Sequence, residues 1–219
     1  MARIRFMGAN NKPVRPINID ATISARLSLT TNAQSLPSFF LILQQGTILP
    51  ARVGTTVRSL LCDQLSVSND YLDNRINTIF LDGKTVDDVD AAVVRDGSTL
   101  SLSASMPGLV GACLRKGGFY APMRSSISHE GEQEDGTASD GAFILRLFNM
   151  VMRELGPSLL SSGVGVEGKA LEEFFAERSK VFWNGIEQAR ADGGVVDADY
   201  VKEQKWAEKP GIVWLKVDE

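Results

Sequence analysis

The sequence has little of the chemistry that usually betrays a function. It holds one histidine and two cysteines in 219 residues. Cys62 and Cys113 stand far apart, so no CxxC pair exists to chelate a metal or shuttle electrons, and two thiols are too few for a disulfide framework. Both are expected to pack as small, buried or half-buried hydrophobes. An excess of positive charge is also missing: 23 Lys and Arg against 27 Asp and Glu leave a formal charge of −4 and a pI near 5.2. Affinity for phosphate backbones rests on clustered cations, so no nucleic-acid partner is expected. No apolar run approaches the roughly 18 residues of a membrane-spanning helix. The opening Met-Ala-Arg-Ile-Arg-Phe has neither the apolar core nor the cleavage site of a signal peptide. The expectation is a cytoplasmic protein with no membrane partner. Its apolar and charged fractions, 43% and 23%, are those of a globular chain able to bury a core.

No catalytic constellation emerges. His129 lies beside Glu130 in an acidic stretch without a second His or a nearby Cys, whereas catalysis and metal binding need preorganised partners. The serines, and Cys62 beside Asp63, have no histidine to activate them. Asp82, Asp87, Asp88 and Asp90 lack the spacing and the terminal bidentate carboxylate of a calcium loop and read as a solvated connection. Gly163-Val-Gly-Val-Glu-Gly168 matches a dinucleotide fingerprint only in its glycines and reads as a loop. No catalytic residue, metal or cofactor is therefore expected.

The apolar periodicity divides the chain into three regions. Ile17–Leu29 alternates as a strand with one buried face does. The apolar run Phe39–Leu43, then Gly46 and the resumed β pattern of Ile48–Val53, predict a hairpin. Val57, Leu60, Leu61 and Leu65 then fall at helical spacing behind a Thr55 or Thr56 cap. Strands are expected at Ile76–Leu81 and Thr99–Ala104, with tight turns at Asp82-Gly83 and Asp96-Gly97, where glycine takes positive φ freely. Leu109–Leu114 and Phe119–Met123, around Arg115-Lys116-Gly117-Gly118, read as a second hairpin or an extended arm, the hairpin preferred. Ser128–Asp140 is acidic and nearly devoid of apolar residues, so it reads as a flexible linker. Beyond it, Phe143–Leu155 predicts a helix stopped at Gly156-Pro157, and Leu171–Ala189 a second helix ended by Asp192-Gly193-Gly194. Residues 197–206 suggest a third, short helix and Ile212–Val217 a last strand returning to the sheet.

The block from Phe39 to about Gly111 resembles the β-grasp (ubiquitin-like) superfamily, within it the sulfur carriers of thiamine and molybdopterin synthesis and the TGS-type domains. The likeness lies in the order of parts: a hairpin, a helix, a strand ending in Leu81-Asp-Gly-Lys84, an acidic connection, then Val93-Val-Arg-Asp-Gly-Ser-Thr-Leu-Ser-Leu102. It implies an α+β, β-grasp-like mixed sheet with a C-terminal helical segment and, by analogy, a sheet surface that binds protein. The expected division is a β-grasp-like domain over 1–127 with an N-terminal strand extension, a linker over 128–140 and a mainly helical segment over 141–219. Sulfur carriers end in a Gly-Gly carboxylate, whereas this chain runs on through Met106-Pro-Gly-Leu-Val-Gly111.

The resemblance gives the fold and leaves the function to the residues. Leu109, Phe119 and Tyr120 interleave with Arg115, Lys116 and Arg124 around Gly117-Gly118 in an otherwise acidic chain. Apolar and aromatic anchors among arginines are what interfaces favour at their centres. These residues are the candidate binding site, for another protein or a second copy, of a non-catalytic interaction or adaptor protein. Two alternatives stand: a sulfur-carrier-like precursor cleaved at Gly117-Gly118 or Gly111, and a small-anion-binding domain using Arg115, Lys116 and Arg124. Packing of the same apolar residues into the protein's own core is the competing structural use.

Overall fold

A computed structural model describes residues 22–121, 124, 128–129 and 138–219. The start of the expected first strand, Met123 and most of the expected linker lie outside the described residues. The fold is α+β and forms two compact units. Among the described residues the first unit is Leu49–Val151, and the second is 22–48 with Met152–Glu219. This division falls elsewhere than the expected boundary at 128–140. The reason is that residues 139–148 form a strand of the first unit rather than the start of a helical appendage.

The first unit carries β2 (Thr47–Val53, from Leu49), β4 (Thr78–Leu81), β5 (Lys84–Thr85), β7 (Thr99–Ser103) and β8 (Ser139–Phe148) in the order β2-β8-β7-β4-β5. The sheet is mixed: β7 runs parallel to β8 and antiparallel to β4. A two-stranded pair, β3 (Thr55–Thr56) with β6 (Val93–Val94), stands apart from it. Alternation puts Ile79 and Leu81, Leu100 and Leu102, and Leu145 and Leu147 on one buried face. Val57, Leu60 and Leu61, in and just before the π-helical α2 (Ser59–Gln64), are buried, as are Leu72 of α3 (Asn69–Asn74) and Ile76. Ser68 caps α3, its Oγ accepting from the Tyr71 amide at 3.1 Å.

The expected helix over Phe143–Leu155 is thus a strand for its first half. Residues Phe143, Leu145 and Leu147 also alternate, and pairing with β7 selects that period. Leu109–Leu114 is likewise no hairpin arm but α4 (Gly108–Leu114), started by the extended backbone of Pro107.

In the second unit β1 (Ile23–Thr31) is central, flanked by β12 (Ile212–Asp218) in parallel and β10 (Ile186–Ala191) antiparallel. β9 (Val164–Glu167) pairs β12, and β11 (Gly194–Val196) pairs β10. The last strand therefore does return to a sheet. The Gly163–Gly168 stretch read as a loop is largely β9, and the expected helix 171–189 is three elements: α6 (Gly168–Ala176), α7 (Lys180–Asn184) and β10.

The expected hairpin at 39–53 is corrected too. Residues 36–45 are helical, a 3-10 turn Leu36–Phe39 running into α1 (Phe40–Gln45). Phe39 meets Phe174 and Phe182, with ring centroids 5.4 and 5.2 Å away, and Phe174 meets Phe182 edge-on at 5.9 Å. Each such buried ring stabilises the fold by about 1.5–3 kcal/mol, which a hairpin exposing one face of that run would forgo. α5 (Asn149–Ser162) runs through Gly156-Pro157 instead of stopping there. A Cβ at Gly156 would come within 2.9 Å of Leu43 Cδ1, so glycine lets α5 lie directly on α1. Among the described residues, no helix is long and apolar enough to cross a membrane.

Candidate functional site

The first unit presents a half-buried sheet face with a shallow depression, and an irregular segment that follows it. Opposite the leucine face of the sheet lie Phe80, Ser101 and Arg146 in one register row and Thr78, Ser103 and Phe148 in the next. Phe80, Ser101, Leu102, Ser103, Met106, Phe148 and Asn149 line a mainly apolar depression of about 300 Å³. Asn149 fixes its rim: with φ at 53° it turns β8 into α5, and its Nδ2 donates to Ser103 Oγ at 2.8 Å and the Ser105 carbonyl at 3.2 Å.

Met106 leads from that depression into α4, where Leu109 is 71% and Val110 65% exposed. Gly111 faces inward, since a Cβ there would collide with the Met106 carbonyl. Beyond α4, Phe119 is 90% exposed and stacks edge-on with half-buried Tyr120 at 5.2 Å. Apolar side chains held out to solvent on an ordered backbone are the feature that separates this segment from an ordinary loop.

The cations expected beside them are placed differently. Arg124 is only 5% exposed. Its guanidinium donates to Asp87 Oδ1 at 2.7 Å and Oδ2 at 3.0 Å, to the Cys113 carbonyl at 2.5 Å, to the Arg115 carbonyl at 3.2 Å, to Ser128 Oγ at 3.0 Å and to Thr85 Oγ1. Lys116 sends Nζ to the Leu72 carbonyl at 2.8 Å and its amide to the Asn77 carbonyl at 2.7 Å. Burial pushes the Lys116 ammonium below the ordinary lysine range, against the attraction of Asp73. The Gly117 amide donates to Asp87 Oδ1 at 2.9 Å, and the Gly118 amide to the Arg115 carbonyl at 3.0 Å. Of the expected cation set only Arg115 points into solvent. Lys116, Arg124 and the Gly117 amide serve the fold, and Asp87, expected as part of a solvated connection, is the acceptor that gathers two of them.

Asp90 and Asp73 hold Arg58, at 2.7 and 3.0 Å, and these hydrogen bonds raise the guanidinium above its ordinary value while drawing the Asp73 carboxyl below the usual range. Burial pushes the Cys62 thiol up, the opposite of what a reactive thiolate requires. The His129 amide donates to the Thr85 carbonyl at 2.7 Å, so this residue lies against β5. Among the described residues no group of three or more His, Cys, Asp or Glu is placed to hold a metal ion.

Of the expected site the structure exposes Leu109 and Phe119 and sets Tyr120 against Phe119; Val110 of the same segment is exposed too, and Met106 joins the depression bounded by Phe80 and Phe148. The polar half of the Thr99–Ser103 alternation and the outward position of Phe80 signal a half-buried face in the sequence. Phe148 joins it only through the parallel pairing of β8 with β7. No protein-family model, no curated protein and no solved structure matches this chain significantly.

Proposed function

We propose that the chain is a non-catalytic protein-interaction or adaptor protein built on a β-grasp-like first unit. The contact surface comprises the apolar side chains of Met106, Leu109, Val110, Phe119 and Tyr120 and the depression between Phe80 and Phe148. The observation that carries this reading is the exposure of Leu109, Val110 and Phe119 on a segment whose backbone is tied down by Arg124, Lys116 and Asp87. A rigid apolar surface loses little entropy when a partner covers it, which is how preorganised interfaces gain affinity. The β-grasp reading is supported by the sequence of parts in the unit: α2, then β4 with its Asp82-Gly83 turn, then the Asp96-Gly97 turn into β7. It departs from the expected order in that β2 has no preceding hairpin partner and β7 takes β8, from later in the chain, as its parallel neighbour.

The small-anion alternative has weak support because two of its three cations and the Gly117 amide already have internal partners. The sulfur-carrier alternative meets the same network, which would have to open before a protease could reach Gly117-Gly118. The test is a photo-reactive benzoylphenylalanine at Leu109 or Phe119 in the full chain within its native cell. A discrete polypeptide adduct is expected, or a dimer of the chain, and it should vanish when Met106 and Val110 are replaced by serine. Equal yields of the same adduct from Val181, an exposed position of the second unit, would sink the reading.

A further inference from the structure

The depression at the end of the first unit's sheet has a charged neighbour. Phe80, Ser101 and Arg146 form one register row across β4, β7 and β8, and Ser103 and Phe148 stand in the next. Phe80, Ser101, Ser103, Phe148 and Met106 line the depression, whereas Arg146 lies on the same face one strand spacing, about 4.8 Å, from Ser101. Arg146 is exposed, and its guanidinium has no hydrogen-bond or ion-pair partner among the described residues. Arg58 and Arg124 differ in this, since both are spent on aspartates of the fold.

The strands of this sheet are poor in acid although the chain is acidic. β2, β4, β5 and β7 contain no Asp or Glu, and β8 contains Asp140 alone, about 20 Å along the strand from Arg146. In the turns, Asp82 accepts from the Thr99 amide at 2.7 Å and from Ser98 Oγ at 2.9 Å, and Asp96 accepts from the Ala142 amide at 3.0 Å. These three carboxylates lie towards the N-terminal ends of β7 and β8. The depression is at the C-terminal ends, where Ser103 and Asn149 are neutral. Its volume of about 300 Å³ is at the bottom of the range for small-molecule pockets, which enclose most of their ligand, and it has room for one large side chain.

We infer that the depression takes a single aromatic or large aliphatic side chain of a partner polypeptide, and that a carboxylate next to it in the partner pairs with Arg146. This rests on the contact surface proposed above and names the partner's chemistry, an apolar anchor beside an acidic residue. The anchor packs on Phe80, Met106 and Phe148, as an interface hot spot fills a pocket. The carboxylate meets the planar fork of a guanidinium that no internal acid claims. Ser101, between Phe80 and Arg146 in the row, has a hydroxyl without a partner and is free to donate to the bound backbone.

The experiment uses the full chain, labelled with nitrogen-15, and three capped dipeptides. These are acetyl-Trp-Glu-amide, its neutral counterpart acetyl-Trp-Gln-amide, and acetyl-Ala-Glu-amide, which lacks the anchor. The Ser101, Ser103 and Arg146 amide resonances are followed up to about 10 mM peptide. Acetyl-Trp-Glu-amide is expected to shift them several-fold more at equal concentration than either of the others. In Arg146→Gln the two tryptophan peptides are expected to become equal, with unchanged melting, since that guanidinium has no partner in the fold. No response at these amides, equal responses to the Glu and Gln peptides in the parent, or a preference that survives Arg146→Gln would each overturn the inference. Photo-crosslinking from Leu109 judges the underlying contact surface separately: a discrete adduct in the parent without the peptide preference keeps that surface and removes this assignment.

Discussion

The Arg124 guanidinium grips the Asp87 carboxylate with two parallel bonds, Nη2 to Oδ1 at 2.7 Å and Nη1 to Oδ2 at 3.0 Å, while Asp87 Oδ1 also accepts from the Gly117 amide. One carboxylate between β5 and β6 thereby ties down both ends of the segment that displays Phe119. Arg suits the role because its planar fork matches a carboxylate and its remaining donors reach backbone carbonyls.

Asp87→Asn leaves Arg124 buried without its counter-charge. Breaking a fully buried pair costs about 3–5 kcal/mol. Asp87 is 36% exposed, so water compensates part of the loss, and about 2 kcal/mol is expected by urea unfolding. Hydrogen exchange at the Gly117 amide should rise in step. An unchanged midpoint with unchanged exchange would show that the segment is held by other means.

Phe119 and Phe174 separate surface from core. Phe174→Ala removes a ring that contacts Phe39, Phe175 and Phe182 and is expected to cost about 3–5 kcal/mol. Phe119→Ala is expected to stay within about 0.5 kcal/mol of the parent in thermal or urea unfolding while weakening any self-association or partner capture. A large loss from Phe119→Ala would assign that ring to the core.

Asn149 has two tasks, and two substitutions resolve them. Asn149→Ala loses both bonds to the end of β7 and must still hold φ at 53°, where a Cβ is strained. Asn149→Gly loses the bonds but adopts that φ freely. The alanine variant is expected to lose about 2 kcal/mol and the glycine variant about 1 kcal/mol less than that. The reverse order would mean that the backbone rearranges at this turn.

Lys116 links stability to alkaline pH. Its pKa in the folded chain is depressed by burial below the ordinary lysine value of about 10.4. Below the depressed value the folded chain carries the full cost of the buried ammonium. As pH rises from there towards 10.4, the unfolded chain holds more protons than the folded one, so this residue's contribution moves towards stability. Urea midpoints of the parent minus those of Lys116→Met, taken from pH 8 to 10.5, should therefore increase with pH. A flat difference would show that the Leu72 carbonyl and Asp73 fully compensate the burial.

Much of the fold is legible locally. Thr99-Leu-Ser-Leu-Ser alternates as β7 does, Asp82-Gly83 and Asp96-Gly97 make the turns, with Asp82, Gly83 and Gly97 at positive φ, and Ile212–Val217 forms the last strand. These signals are short-range: a residue's face, its φ freedom or its own backbone bonds decide them.

What the sequence could not settle depended on partners far along the chain. Phe143–Leu147 satisfies a helical and a strand period alike, and only the parallel register with β7, Leu100 opposite Leu145, selects the strand. Phe39–Leu43 has no period at all and is helical because Phe174, Phe182 and Gly156 surround it. Arg124 and Asp87 are 37 positions apart, so nothing local distinguishes a cation offered to a ligand from one spent on the fold. Local chemistry determined turns, caps and amphipathic strands. Tertiary structure decided which apolar runs were buried and which charges remained free, because burial and ion pairing are energies of the surroundings rather than of the residue.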